Sequence, residues 1–479
     1  MKIFIILLIS LTFVIQVSAS DFDSLYKDYQ FRGIEFTPNP ENLKKYNRNM
    51  PLWVPFLESV AFNTLLTSFN RYVLKRDLSH LTLKSVKKNF THGLDWDTDA
   101  MSTNFFLHPV QGSIYYNTAR ANGFSMEKSY LMSLLGSLQW EYFMEVLPPS
   151  INDLVITSIS GSFLGEIFYQ ITSLILDDSR LGFIRYGKEI SAGLIAPGRF
   201  FSRTVNGSLW NHNTYNLYAK RKYKLSMGLG VNNLSDKNSF SNFNTYPEFI
   251  FNLNFIHGNP FLVKKLKILR FFKFNLLLKT IKSNQQQFLT SFNADGILFG
   301  RHYNKNKHDF ILSFNQYFNY FNTEIYQIGA LKFGPTIRYR SPDSSVFGID
   351  SSLAISFIPM AGILSSYSQY HLVEEINESK VYNTSWGGSI DYSLELLTKY
   401  ISFKFDYIFW VLRTYNQNGA GALGTEISSM IKPSIRINFS KKINLKLELL
   451  TYVNRAKYDL YPDTKRYLNE VRIILNYNF

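Results

Sequence analysis

Tyr467-Leu-Asn-Glu-Val-Arg-Ile-Ile-Leu-Asn-Tyr-Asn-Phe479 closes the chain, and its pattern decides the fold. Tyr467, Val471, Ile473, Leu475, Tyr477 and Phe479 share one face; Glu470, Arg472, Asn476 and Asn478 share the other. A period of two with one apolar face is a half-buried strand. The pattern repeats upstream. Ile401, Phe403, Phe405, Tyr407 and Phe409 oppose Ser402, Lys404 and Asp406; Ile431, Ile435, Ile437 and Phe439 oppose Lys432, Ser434, Arg436 and Asn438; Phe272, Phe274, Leu276 and Leu278 oppose Lys273, Asn275 and Lys279.

Twelve such segments, each of roughly ten residues, begin near Tyr223, Phe249, Phe271, Phe288, Phe310, Leu331, Phe347, Ile390, Ile401, Ile427, Leu445 and Tyr467. Alternation alone also fits a soluble antiparallel sheet. Three features favour a membrane barrel instead. The even count returns both ends to one side, aromatics crowd the segment ends as an interfacial girdle would, and Phe479 ends the chain in phase with the apolar face. A terminal aromatic of this kind is similar to the signal by which outer-membrane barrels are recognised for insertion. Connections alternate in length as well. Asn233–Thr245, Pro359–Asn383, Arg413–Gly424 and Tyr458–Lys465 form the expected outer set; Ser440–Lys442 and Thr398–Lys399 are short and inner. His257–Arg270 breaks this alternation and leaves the count open by about two strands. The mixed-sign inward residues suit a salt-bridged filling in a barrel of this size, with a narrow channel as the alternative.

Composition agrees. Of 479 residues 46% are hydrophobic, 16% aromatic and 18% charged, which excludes a disordered chain. The absence of cysteine excludes a disulfide scaffold, a zinc–cysteine site and a cysteine nucleophile. The net charge of +15 comes with no long basic block, so a membrane surface is the expected partner and nucleic acid is not. Met1 and Lys2, the apolar run Ile3–Val17 and Val17-Ser18-Ala19 read as a signal peptide cleaved before Ser20. Without a cysteine after it, the mature chain is not expected to be a lipoprotein.

Between signal and barrel the chain reads as helical. A polar lead-in with Pro38, Pro40 and Pro51 precedes an amphipathic helix over Trp53–Lys75. Helices follow over Leu107–Asn122 and Ser129–Leu147, the second stopped by Pro148-Pro149. Ser150 is placed as N-cap of the next helix, with Asp153 in its first turn. Leu154–Leu176 is long enough to span a bilayer. Its serines, Glu166 and Gln170, with Gly161 and Gly165 open to a neighbouring helix, point to the buried centre of a bundle outside lipid.

Leu-His108-Pro-Val-Gln-Gly112, Tyr115-Tyr116, Arg120, Trp140-Glu141, Glu145, Pro149-Ser150-Ile-Asn-Asp153 and Gly161-Ser-Phe-Leu-Gly165-Glu166 resemble the DUF3943 domain over about residues 90–205. The resemblance implies an exported protein with a β-rich region after the domain, and brings no established activity. Glu141, Glu145, Asp153, Gly161 and Gly165 bear a weaker similarity to VanZ-like membrane proteins.

The expected fold is α+β: a signal peptide (1–19), a lead-in with an amphipathic helix (20–89), a DUF3943-like helical domain (90–207), and an antiparallel transmembrane β-barrel of about twelve strands (222–479). The candidate chemistry is His108, Glu141, Glu145, Asp153 and Glu166. They read either as acid/base residues or oxygen ligands, or as a salt-bridge and capping network. Glu141 and Glu145 repel at their spacing, and Arg120, Arg199, Arg203 and His108 are their expected compensation. No HExxH, EF-hand or phosphate-cradling loop is present, so neither metal nor cofactor is expected. His257, His302, His308 and His371 lack the serine and acidic partners of a barrel hydrolase; His302 and His308 mark an inner turn. The expected role is an outer-membrane protein with a periplasmic helical domain, in envelope organisation or passage of a small or lipidic solute. The expected partners are outer-membrane lipid, the barrel-insertion machinery at Phe479, and a small-molecule or lipid ligand. An enzyme acting on an envelope lipid or glycan is the alternative.

Overall fold

The computed structural model describes residues 35–39, 50–75, 80–97, 99–235, 247–280, 289–323, 327–342, 347–364, 382–418 and 422–479, leaving aside the side chains of 416–418. The expected signal segment, most of the lead-in, most of the loop 233–245, and His371 lie outside these residues. Two compact units are present: a helical one built from residues 34–99 and 103–221, and a β one running from Lys222 to Phe479.

Twelve antiparallel strands form the β unit: β1 (Tyr223–Ser235), β2 (Glu248–His257), β3 (Phe272–Lys279), β4 (Leu289–Lys305), β5 (His308–Asn322), β6 (Gln327–Arg340), β7 (Gly348–Leu364), β8 (Tyr382–Leu397), β9 (Ile401–Asn418), β10 (Gly424–Asn438), β11 (Ile443–Tyr458) and β12 (Thr464–Asn478). Each pairs with its neighbour in sequence, and β1 pairs with β12, Leu229 opposite Leu475 and Val231 opposite Ile473. The ring is closed, so the sheet has no free edge. Every expected segment is found.

Two expectations about the barrel are corrected, and the strand count left open is settled at twelve. Most strands are longer than ten residues: β7 runs to Leu364 and β9 to Asn418, so the start of the expected outer loop 359–383 and the first half of 413–424 are strand. A tilted strand crosses the hydrocarbon in 9–11 residues, so the surplus extends the wall beyond it. The irregular connection His257–Arg270 adds no barrel strand. It holds a 3₁₀ turn at Pro260–Leu262 and a two-residue ladder in which Lys265 and Leu266 pair with Arg301 and Gly300 of β4.

Outward-facing rows are apolar and open: Val411 on β9, Ile427, Ile431 and Ile435 on β10, Leu447 on β11, and Ile473 and Leu475 on β12 are all exposed. The other face of the same strands carries Lys404, Asp406, Glu448, Glu470 and Arg472. A soluble barrel has the opposite polarity; apolar-out and polar-in is the construction of a transmembrane barrel. Tyr400, Phe439 and Tyr477 stand exposed at the end with short turns, and Trp386, Tyr415 and Tyr461 toward the other. These are the expected aromatic girdles.

The helical unit comprises α1 (Trp53–Tyr72), α2 (Leu83–His92), α3 (His108–Ala121), α4 (Met126–Phe143), α5 (Ile151–Ile175), α6 (Gly182–Ile195) and α7 (Pro197–Val205). Ser125 caps α4, so this helix begins three residues earlier than expected. It ends at Phe143, leaving Glu145 beyond its last turn. Ser150 caps α5 as expected, its Oγ accepting from the Asp153 amide at 3.3 Å. Parallel helices α3 and α5 form the centre. A Cβ on Gly112 would lie 1.9 Å from the Thr157 carbonyl oxygen, and one on Gly161 would lie 2.6 Å from the Gly112 Cα. Gly165 likewise receives the Tyr116 ring. The α5 segment, long and apolar enough to cross a membrane, thus spends its small residues on contact with α3.

Candidate functional site

Two π-helical turns set the geometry of the first cluster: Thr103–Leu107 runs into α3 just before His108, and Ile156–Ser160 interrupts α5 just after Asp153. Such turns are frequent at functional sites. His108 Nε2 stands 3.7 Å from Asp153 Oδ1, both buried. Asp153 Oδ1 accepts from Asn152 Nδ2 at 2.9 Å. Glu141, 1% exposed, accepts the Ser150 amide at 2.7 Å, which ties α4 to the α5 cap. Asp97 joins them from the segment before the π turn, its amide donating to Asn152 Oδ1 at 2.9 Å. Burial is the main cause that raises the carboxyl groups of Asp97, Glu141 and Asp153, reinforced by repulsion from Asp99 at Asp97, from Asp153 and Glu145 at Glu141, and from Asp97 at Asp153. Burial pushes Glu145 up to about 7, with His108 acting against it.

Glu166 is not in this cluster. It receives Arg120 Nε at 2.9 Å, Tyr116 OH at 2.8 Å and Gln170 Nε2 at 2.7 Å. Arg199 donates to the Tyr169 carbonyl at 2.7 Å and to the hydroxyls of Thr172 and Ser173, with the Tyr169 ring 4.0 Å away. Arg203 pairs with Asp178 at 2.7 Å and with Glu189. The expected compensation of Glu141 and Glu145 by Arg120, Arg199 and Arg203 is therefore corrected; among the four candidates His108 alone faces the acids. Helix length is the reason: twelve residues of helix separate Arg120 from His108, about 18 Å at 1.5 Å per residue. The candidates form two ends of one bundle. Among the described residues no three His, Asp or Glu groups converge as a metal-binding set.

Sequence reasoning passed over Glu58, Asn63 and Asp97. Glu58 is buried on α1, its Oε2 taking hydrogen bonds from Asn122 Nδ2 at 2.8 Å and from Ser202, and burial lifts it to about 7. Its signal was present: it is the one acidic residue in the apolar stretch 53–72.

The second site is the lumen. Near the short turns its charges are paired, Arg472 with Glu448 at 2.9 Å and Lys404 with Asp406 at 2.8 Å; Lys332, farther along β6 in the row of Ile328 and Ala330, pairs with Asp391 at 2.7 Å. Farther along the same inward rows the residues become apolar. Leu234, Phe321, Ile328, Ile358, Trp410, Leu412, Met430, Leu450 and Leu468 pack into one buried cluster drawn from β1, β5–β7 and β9–β12. Trp410 is fully buried and meets Phe321 edge-on at 6.2 Å. Three strands separate β5 from β9 around the ring, so this contact bridges the lumen. Beyond it polarity returns, with Glu426 held by Asn383 at 3.3 Å and Asn454 at 2.8 Å. The lumen is layered as charged, apolar and polar. His302 Nε2 lies 2.8 Å from Asp309 across the β4–β5 turn, where Asn306 and Lys307 take positive φ.

A closed twelve-stranded antiparallel barrel, preceded by a helical unit, is the class that these features define. Residues 93–198 match the family model described as a domain of unknown function, DUF3943. No curated protein matches the chain. Solved structures similar to it include the NanC porin (7% identity, 51% of this chain and 98% of that one, TM-score 0.24) and an outer-membrane channel from Pseudomonas putida F1 (8%, 54% and 95%, TM-score 0.30). The Pseudomonas putida toluene transporter TodX is a third (6%, 55% and 90%, TM-score 0.24).

Proposed function

We propose that the chain is an outer-membrane barrel protein whose helical unit lies in the periplasm, and that it organises the envelope without conducting ions at rest. One observation carries this: the barrel is closed, apolar outside and crossed inside by the apolar Trp410 layer. A hydrocarbon setting explains the outer rows, since a wall of Ile, Leu and Val has no favourable contact with water. Connectivity supports this side. β1 begins and β12 ends at the rim of the short turns, which in such barrels faces the periplasm, and the helical unit is joined to that rim through Lys222. An apolar constriction expels water and ions. The same layer favours a second reading, passage of a lipidic solute, over passage of a sugar or ion. Phe479 is the residue that the insertion machinery would read.

The test has two parts. The mature protein is expected in the outer-membrane fraction with heat-modifiable gel migration, and in planar bilayers without steady unitary conductance. Recovery as a soluble periplasmic protein overturns the placement; open-channel conductance overturns the sealed lumen.

A further inference from the structure

Helix α6 has inverted polarity. Two of its three charged residues face inward: Arg185 donates to the carbonyls of Ser208 and Asn211 at 2.9 and 2.7 Å, and Glu189 is buried against Arg203. Its apolar residues face out. Phe183 is 91% exposed, and Ile184, Tyr186 and Ile190 are exposed beside it, with Leu181 just before the helix. Phe183, Tyr186 and Ile190 recur at helical spacing, which makes one stripe. Trp210 lies one residue before Asn211, whose carbonyl holds Arg185, and it too is exposed. In a water-facing helix the charged residues would be outside and these inside.

We infer that this face docks on the surface of a phospholipid bilayer. The inference rests on the proposed membrane location, because the barrel would keep lipid within reach of a segment that ends at Lys222. Chemistry selects lipid over a protein partner. An aromatic and aliphatic stripe bordered by Trp, Tyr and basic side chains is the make-up of an interfacial helix, which buries its apolar face at the headgroup boundary. The border here is basic on balance: exposed Arg180 and half-buried Lys188 flank the stripe, both 3.5 Å from the one carboxylate of Asp177. Arg185, Arg199 and Arg203 are buried, and the basic groups left near the stripe, Arg180, Lys188 and Lys220, gather around one carboxylate, Asp177, an excess of two positive charges. That excess suits anionic headgroups.

The chain contains no cysteine, so single spin labels can be placed on the full-length protein without background. Phe183→Cys, Ile190→Cys, Leu475→Cys on the outer barrel wall and Glu127→Cys on the exposed start of α4 would be labelled. The proteins would be reconstituted in vesicles of phosphatidylethanolamine and phosphatidylglycerol. Accessibility to oxygen and to a water-soluble nickel chelate then reports depth. The expected result is a shift of positions 183 and 190 away from the water value at 127 toward the lipid value at 475. Water values at 183 and 190 with lipid at 475 overturn the docking and leave the barrel standing. Exclusion of both reagents at 183 and 190 identifies a protein occupant and also overturns it. Water at 475 overturns the barrel reading, and the docking falls with it.

Discussion

Glu58 sits in α1 with hydrogen-bond donors around it, and burial holds its proton to about pH 7. An exposed carboxyl releases its proton near 4.3. Between these values the folded helical unit carries a proton that the unfolded chain has lost, so the unit loses stability as pH rises through that window. Glu145 acts in the same direction. Far-UV circular dichroism melts at 222 nm are expected to give a higher unfolding temperature at pH 5 than at pH 8. Glu58→Gln should remove part of that difference, at most about 1.4 kcal/mol per pH unit for one group, and gain most against the parent at pH 8. A parent whose melting temperature rises with pH over this window contradicts the assignment. Gly112 offers a test at the same scale. A methyl group there meets a carbonyl at 1.9 Å, so Gly112→Ala should destabilise the unit by about 1–3 kcal/mol, the usual cost of overpacking.

Helices and strands differ in how much of their arrangement the chain reveals. Strand positions were legible because a period of two with one apolar face admits one register against lipid; each of the twelve segments lies where alternation places it. Strand ends were less legible, since the parts of β7 and β9 beyond the hydrocarbon carry no apolar requirement. The glycines of α5 were read as a contact face, and they are one. The partners of the arginines were not readable, because Arg120 and Glu141 lie on apolar helices whose relative direction no local pattern states. The layering of the lumen was likewise hidden: Ile408, Trp410 and Leu412 continue the inward row of Lys404 and Asp406, but strand by strand they read as an apolar patch on a strand apolar on both faces. That layer makes its own prediction. Trp410→Ala removes the ring that bridges to Phe321. Together with Leu412→Ala it should turn a silent barrel into one with measurable conductance in planar bilayers, while heat-modifiable migration persists. Silence in the double variant would place the seal elsewhere.

For the molecule as a whole, the seam between β1 and β12 is the contact on which closure depends. It joins segments some 250 residues apart, Ser226 with Asn478 through Ser235 with Asn469, and such non-local pairing forms slowly and exposes unpaired edges until it is complete. Phe479 lies at the start of this seam: its amide donates to the Leu225 carbonyl at 3.0 Å and its ring meets Tyr477 edge-on at 4.9 Å. Deleting it removes one ladder bond and the terminal aromatic together. Phe479→Ala keeps the bond and removes only the ring, whereas Tyr461→Ala removes an exposed aromatic toward the other rim. If the terminal ring guides assembly, the deletion and Phe479→Ala should both strongly reduce heat-modifiable protein in the membrane fraction, and Tyr461→Ala should leave it near the parent level. If instead the ladder bond matters, Phe479→Ala should assemble normally and only the deletion should fail. Pulse-chase measurement of the heat-modifiable form separates the two cases, because a loss at the seam slows closure whereas a loss of recognition reduces the amount inserted without slowing the fraction that closes.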